Sequence, residues 1–183
     1  FGPQHSQAVE HWLLNIPGLK IAVPGTVEDL YGLLRSAIRD PDPVLVFEHK
    51  NLSAVKGLVP AEPDDRFLVP LGSAAIVRVG ADVTIVATQQ RRHRALGAAE
   101  TLERHGIDAE VIDPRTLVPF DLQTVADSLR KTSRLVVVQE GPPDGGWGAT
   151  LLARVASEHL ELLDAPPLLV ASDATPVPYS SVL

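Results

Sequence analysis

The chain of 183 residues has no cysteine and no methionine, and only 4% of it is aromatic. Without thiols there is no disulfide framework and no thiolate nucleophile, which fits a cytosolic type of protein. No stretch of 18 apolar residues occurs, so no membrane-spanning helix is expected. No basic-then-apolar leader opens the chain. Basic residues are also short: 16 Lys and Arg stand against 23 Asp and Glu, a net charge of -7. That balance disfavours nucleic acid, whose phosphates need a basic surface, and suits a basic protein partner. Several catalytic signatures are missing: G-x-S-x-G, G-x-G-x-x-G, a P-loop lysine and any zinc-ligand spacing. The lack of methionine even at position 1, before the polar opening "FGPQHSQAVEHW", points to a piece of a longer or cleaved chain.

What is present is a hydrophobic content of 45%, enough for a packed core. Strand and helix signals alternate. "SQAVEHWLLN" carries Val9, Leu13 and Leu14 on one helical face, with Ser6 as N-cap and Pro17-Gly18 as terminator. "LKIAVP" reads as a strand. Thr26, with Asp29 three residues on, caps a second helix whose apolar positions are Leu30, Leu33, Leu34, Ala37 and Ile38. The run Val44 to Phe47 reads as a parallel strand buried on both faces. Residues 51 to 73, broken by Pro60, Pro63 and Pro70, read as an ordered crossing between two domains. Beyond it, the strands "ADVTIVAT", "DAEVIDPRT", "RLVVVQE" and "PPLLVASD" alternate with helices in "RRHRALGAAETLERHG", "DLQTVADSLRKTS" and "TLLARVASEHLEL". Asp121 caps the middle one. Such alternation predicts a parallel sheet with helices on both faces.

Three features could carry chemistry. His5 follows a Gly2-Pro3 turn and precedes the first helix. It could donate a proton or hydrogen bond there to a carboxylate or a developing oxyanion, or it could be a plain turn residue. The cluster "GGWGA" at 145–149 could cradle a phosphate; the simpler reading is glycine that admits a close approach at a domain contact. Asp40 and Asp42 in "AIRDPDP" follow a helix end whose carbonyls lack partners, a place for a monovalent cation or a solvated turn. His11, His49, His93, His105 and His159 read as surface or core fillers.

Seven stretches in register carry a resemblance: "QHSQAVEHWLLNIPGLKIAVPGT", "GLLRSAIRDPDPVLVFEHK", "VPLGSAAIVRVGADVTIVAT", "AEVIDPRTLVPFD", "SRLVVVQEG", "GGWGA" and "LDAPPLLVASDATPVPYS". Together the chain resembles the beta subunit of the thiamine-diphosphate-dependent 2-oxo acid dehydrogenases, the decarboxylating component of pyruvate or branched-chain complexes. The family's chain is longer at its front. The resemblance implies an α/β fold in two parts. Residues 1–60 would be the C-terminal part of a pyrimidine-binding domain with a parallel sheet, and 61–73 a linker. Residues 74–183 would form a transketolase C-terminal-like, three-layer α/β/α domain.

The same resemblance implies decarboxylation of a 2-oxo acid and transfer of the acyl group to a lipoyl acyltransferase. Thiamine diphosphate would lie between subunits of an alpha2beta2 heterotetramer. The alpha subunit would take the diphosphate and Mg2+, and the acyltransferase's subunit-binding domain would be a further partner. His5, in the "HSQ" segment, is implied as a catalytic residue, while the main pyrimidine-contact residues lie ahead of residue 1. Potassium is implied on main-chain oxygens of Ala37, Asp40 and Asp42. Arg115 and Glu140 are implied as inter-domain or inter-subunit pairing residues. The implied location is bacterial cytoplasm ahead of the mitochondrial matrix. Rivals are an acetoin dehydrogenase, a transketolase-type enzyme and a non-catalytic docking fragment. The absence of basic phosphate ligands around His5 weighs against the transketolase type. The 183 residues alone are expected to be inactive.

Overall fold

The computed structural model describes residues 4–59 and 67–180, together with Val182. The expected Gly2-Pro3 turn and much of the expected linker lie outside the described residues. The chain's first element corrects an expectation. "SQAVEHWLLN" is not an α-helix capped by Ser6; it has no regular structure up to a single 3₁₀ turn over Glu10–Leu13, entered from Val9 without a side-chain cap. Only Glu10 in that turn is buried, so one turn satisfies the local packing.

Strand β1 (Lys20–Ala22) follows, then helix α1 (Val27–Arg39). Thr26 caps this helix as expected: its Oγ1 accepts from Asp29 N at 3.0 Å and donates to Asp29 Oδ2 at 2.7 Å. Pro41 forces Asp40 into the extended region and ends the helix. Strand β2 (Val44–Val46) pairs parallel with β1. It is only half-buried, because it is the edge of its sheet rather than a strand covered on both faces. The strand on the other side of β1 comes from far along the chain: β6 (Thr116–Val118), running antiparallel. The small sheet therefore has the order β2-β1-β6.

The larger sheet is built from β3 (Ala75–Arg78), β4 (Val83–Ala87), β5 (Ala109–Asp113), β7 (Leu135–Val138) and β8 (Leu168–Val170), in the order β3-β5-β4-β7-β8. Strands β4, β5, β7 and β8 are parallel, as the alternation predicts. The antiparallel edge strand β3 gave no signal of its own among the prolines and glycines around it. Helix α2 (Gln89–Glu103) covers one face, α3 (Leu122–Thr132) and α4 (Trp147–Glu158) the other. Successive strand residues part between the faces. Ile85 and Ala87 pack with Ala95 and Ala99 of α2, whereas Val86, Val137 and Ile112 pack with Leu129, Leu151 and Val155. The result is the expected three layers.

Ile21 and Val23 of the first segment belong to the same core as Val86, Ile112 and Val137. A second contact sits on α1, where Gly32 leaves room for Val69 and Ser36 Oγ donates to Val69 O at 2.7 Å. The two halves of the chain are thus packed together, which brings residues near 5, 49 and 140 to one place.

Candidate functional site

That place is a cleft of about 310 Å³ whose lining includes His5, Glu10, Phe47, His49, Gln89 and Glu140. His5 lies in an exposed bend ahead of the 3₁₀ turn, so no helix N-terminus stands behind it. It reaches the cleft as part of the irregular segment 5–9, all of which lines the cleft together with residues 47–51 after β2. His49, expected to be a filler, is instead a wall of the same cleft. Its Nε2 lies 2.7 Å from Glu140 Oε2, and its Nδ1 accepts from Asn51 N at 3.1 Å. The hydrogen bond from His49 holds the Glu140 carboxyl below the usual carboxylate range; burial works against it and Arg91, 3.6 Å away, works with it. Gln89 also went unrecognised. It is buried, has a left-handed backbone (φ 47°) at the start of α2, and donates from Nε2 to Phe47 O at 2.7 Å. No local pattern marks either residue, since their partners are 91 and 42 positions away.

Arg115 and Glu140, expected as inter-domain or inter-subunit pairing residues, each meet a residue of the first segment, Glu140 through His49 and Arg115 through Asp29. Arg115 Nε reaches Asp29 Oδ1 at 2.7 Å, beside the fully buried Asp113, which meets Arg92 Nε at 3.3 Å. Gly25 admits this cluster: a Cβ there would stand 2.8 Å from Asp113 Oδ2. The glycine cluster at 145–149 holds something other than a phosphate. Gly148 N–H, at the start of α4, donates to Gln139 Oε1 at 2.8 Å, and a Cβ on Gly148 would meet that oxygen at 2.7 Å. The close approach is of the Gln139 side chain from the preceding strand end.

The turn with Ala37, Asp40 and Asp42 is separate from the cleft. Lys20 Nζ bridges both carboxylates, 2.7 Å from Asp40 Oδ1 and 3.1 Å from Asp42 Oδ2. This contact lowers the Asp40 carboxyl and raises the Lys20 ammonium. Ala37 O accepts a long 3.3 Å bond from Asp40 N, which leaves lone-pair capacity on that carbonyl. Lys20 Nζ occupies an oxygen of each carboxylate, so a cation at this turn would rest on carbonyl oxygens. The cleft does not fit a diphosphate: Lys50 is the one Lys or Arg among its lining residues. Among the described residues no group of three His, Asp or Glu side chains could hold a metal ion. The described residues therefore do not by themselves form a thiamine diphosphate and Mg2+ site. Among the described residues no helix is long and apolar enough to cross a membrane.

Residues 72–183 match the family model "Transketolase, C-terminal domain", and residues 2–55 match "Transketolase, pyrimidine binding domain". The chain belongs to the transketolase C-terminal domain family, preceded by a pyrimidine-binding-domain segment. Among individual proteins, it is 44% identical to "Pyruvate dehydrogenase E1 component subunit beta-2, mitochondrial" of Oryza sativa subsp. japonica, over all of this chain and 49% of that one. It is also 44% identical to the pyruvate dehydrogenase E1 beta subunit of Rhizobium meliloti, over 98% of this chain and 39% of that one. The beta subunit of acetoin:2,6-dichlorophenolindophenol oxidoreductase from Cupriavidus necator is 46% identical, over 98% and 52%. The chain thus spans about half the length of the curated relatives it matches. The solved structure "Split gene transketolase, inactive beta4 tetramer" superposes with a TM-score of 0.78 at 24% identity, over 98% of this chain and 56% of that one, a likeness of fold.

Proposed function

We propose that the chain is the C-terminal part of a beta subunit in a thiamine-diphosphate-dependent 2-oxo acid dehydrogenase. The complete protein decarboxylates pyruvate or a branched-chain 2-oxo acid and passes the acyl group to a lipoyl acyltransferase. The 44% identity to pyruvate dehydrogenase E1 beta subunits along the whole chain carries this reading. In it, residues 1–60 complete a pyrimidine-binding domain, 61–73 link, and 74–183 form the C-terminal domain. Thiamine diphosphate supplies the electron sink when bound. An alpha subunit holds its diphosphate and Mg2+, in keeping with a cleft that has Lys50 as its one Lys or Arg and with the lack, among the described residues, of a group of three His, Asp or Glu placed to hold a metal ion. His5 stands at the cleft to hydrogen-bond the substrate carboxylate or move a proton there.

The test is the complete beta chain assembled with its alpha subunit and the acyltransferase's subunit-binding domain, supplied with thiamine diphosphate and Mg2+. Co-elution of the three and carbon dioxide release from pyruvate or a branched-chain 2-oxo acid are expected. Acetoin cleavage without carbon dioxide release would move the assignment to the acetoin enzymes. Turnover by the 183 residues alone would overturn the division of the site between subunits.

The turn at Ala37, Asp40 and Asp42 is proposed to take potassium through main-chain oxygens. A ligand that binds only the folded state raises its melting temperature by mass action. The assembled protein should therefore melt higher in potassium than in a large organic cation at equal ionic strength. Superimposable melting curves would count against the site.

A further inference from the structure

The loop after β2 forms one wall of the cleft and is held from two other parts of the chain. Gln89, at the first residue of α2, binds Phe47 O. Glu140, in the loop after β7, binds His49. The first tie takes a non-glycine residue into the left-handed region, a conformation that is kept only where the surroundings fix it. The second tie determines a tautomer. Asn51 N–H points at His49 Nδ1, so that nitrogen is bare and the ring proton sits on Nε2, donated to Glu140. Both ring nitrogens are therefore occupied, and the ring can neither turn nor shuttle a proton without breaking one bond. Arg91 Nε, two residues after Gln89, faces the same Glu140 oxygen and keeps that carboxylate from drifting away.

We propose that Glu140 is a positioning residue for this cleft, fixing the His49 ring and with it the wall that faces the His5 segment. The inference rests on the functional reading given above. It differs from a mere clasp between two halves of the chain, because Glu140 and His49 themselves line the cleft that contains His5. A shift of the wall by about 1 Å is enough to cost on the order of 10²-fold in a positioned reaction. Glu140 does not touch the reacting atoms; it acts through His49.

The experiment compares Glu140→Ala with Glu140→Gln in the assembled enzyme, with kcat counted per cofactor-loaded site. Glutamine keeps an acceptor for the His49 Nε2 proton, whereas alanine leaves none. Glu140→Ala should lower kcat by roughly 10- to 100-fold, and Glu140→Gln should restore most of that loss. Nitrogen-15 spectra of the histidine rings give a readout that activity does not. In the wild type His49 should show a protonated Nε2 and a bare Nδ1, in Glu140→Gln the same, and in Glu140→Ala a mixture of tautomers. A wild-type His49 protonated on Nδ1 would overturn the inference, even if Glu140→Ala fails to fold. So would an alanine variant with wild-type kcat in an enzyme that His5→Ala silences; there the functional reading stands and the positioning role falls. If neither variant changes turnover, the catalytic role proposed for His5 falls together with the positioning role of Glu140, while the turnover itself upholds the functional reading.

Discussion

His5→Ala in the assembled enzyme should lower turnover by about 10²–10⁴-fold while leaving cofactor affinity close to wild type, the effect of removing one placed acid–base group. The expectation rests on His5 being exposed and lining the same cleft as buried Glu10, His49 and Glu140. It does not rest on a helix dipole, because the segment after His5 is irregular up to a single 3₁₀ turn. Steady-state rates at saturating cofactor, with binding measured by calorimetry, separate the two quantities. A rate within twofold of wild type would remove His5 from the chemistry, and a matching loss of cofactor binding would make it a binding residue instead.

Arg115→Ala should destabilise the chain by about 3–5 kcal/mol, the cost of leaving a buried charge without its partner. The guanidinium lies 2.7 Å from Asp29, whose side chain is 5% exposed, and the backbone at Arg115 is left-handed at φ 60°. Its N–H donates to Asp113 Oδ1 at 2.9 Å and its carbonyl accepts from Val23 N at 2.8 Å, so the residue joins the two segments with side chain and backbone together. Urea unfolding of wild type and variant measures the loss. A difference below about 1 kcal/mol would place this pair with the weakly contributing surface ion pairs.

The same titrations at two pH values test Asp113. Burial pushes its carboxyl up to about 7; the Asp29 charge adds to this, against the Arg115 N–H and the Arg92 and Arg115 charges. The native carboxyl thus keeps its proton more tightly than the unfolded chain does. Between about pH 4 and pH 7 the folded state holds the extra proton, so stability contributed by this group is lost as pH rises through that window. From pH 5 to pH 7 the wild type should lose more stability than Asp113→Asn, which has no proton to release. Equal losses in the two proteins would show that Asp113 is already ionised at pH 5.

The sequence by itself determined the layer plan of the second domain and its family. Leu135–Val138 is apolar throughout and Val83–Ala87 is apolar but for Thr84, a pattern that a parallel sheet covered on both faces buries. The caps at Thr26 and Asp121 were legible for the same kind of reason. A cap is a bond between residues three apart, and both side chains make it, to Asp29 N and Thr124 N. The 3₁₀ turn at Glu10–Leu13 was misread because a helical spacing of three apolar residues is weak where so little of the segment is buried. What only the tertiary structure decided depends on distant pairs. Strand β6 leaves the large sheet's neighbourhood to pair with β1, which no local periodicity encodes. His49 looked like a filler because its meaning lies in Glu140, 91 residues on, and Gln89 because its partner is a backbone carbonyl. Local bonds and burial patterns repeat within a few residues and can be read along the chain. The cleft is made where the packed halves meet, and its walls acquire their roles only from which side chains that packing brings within 3 Å.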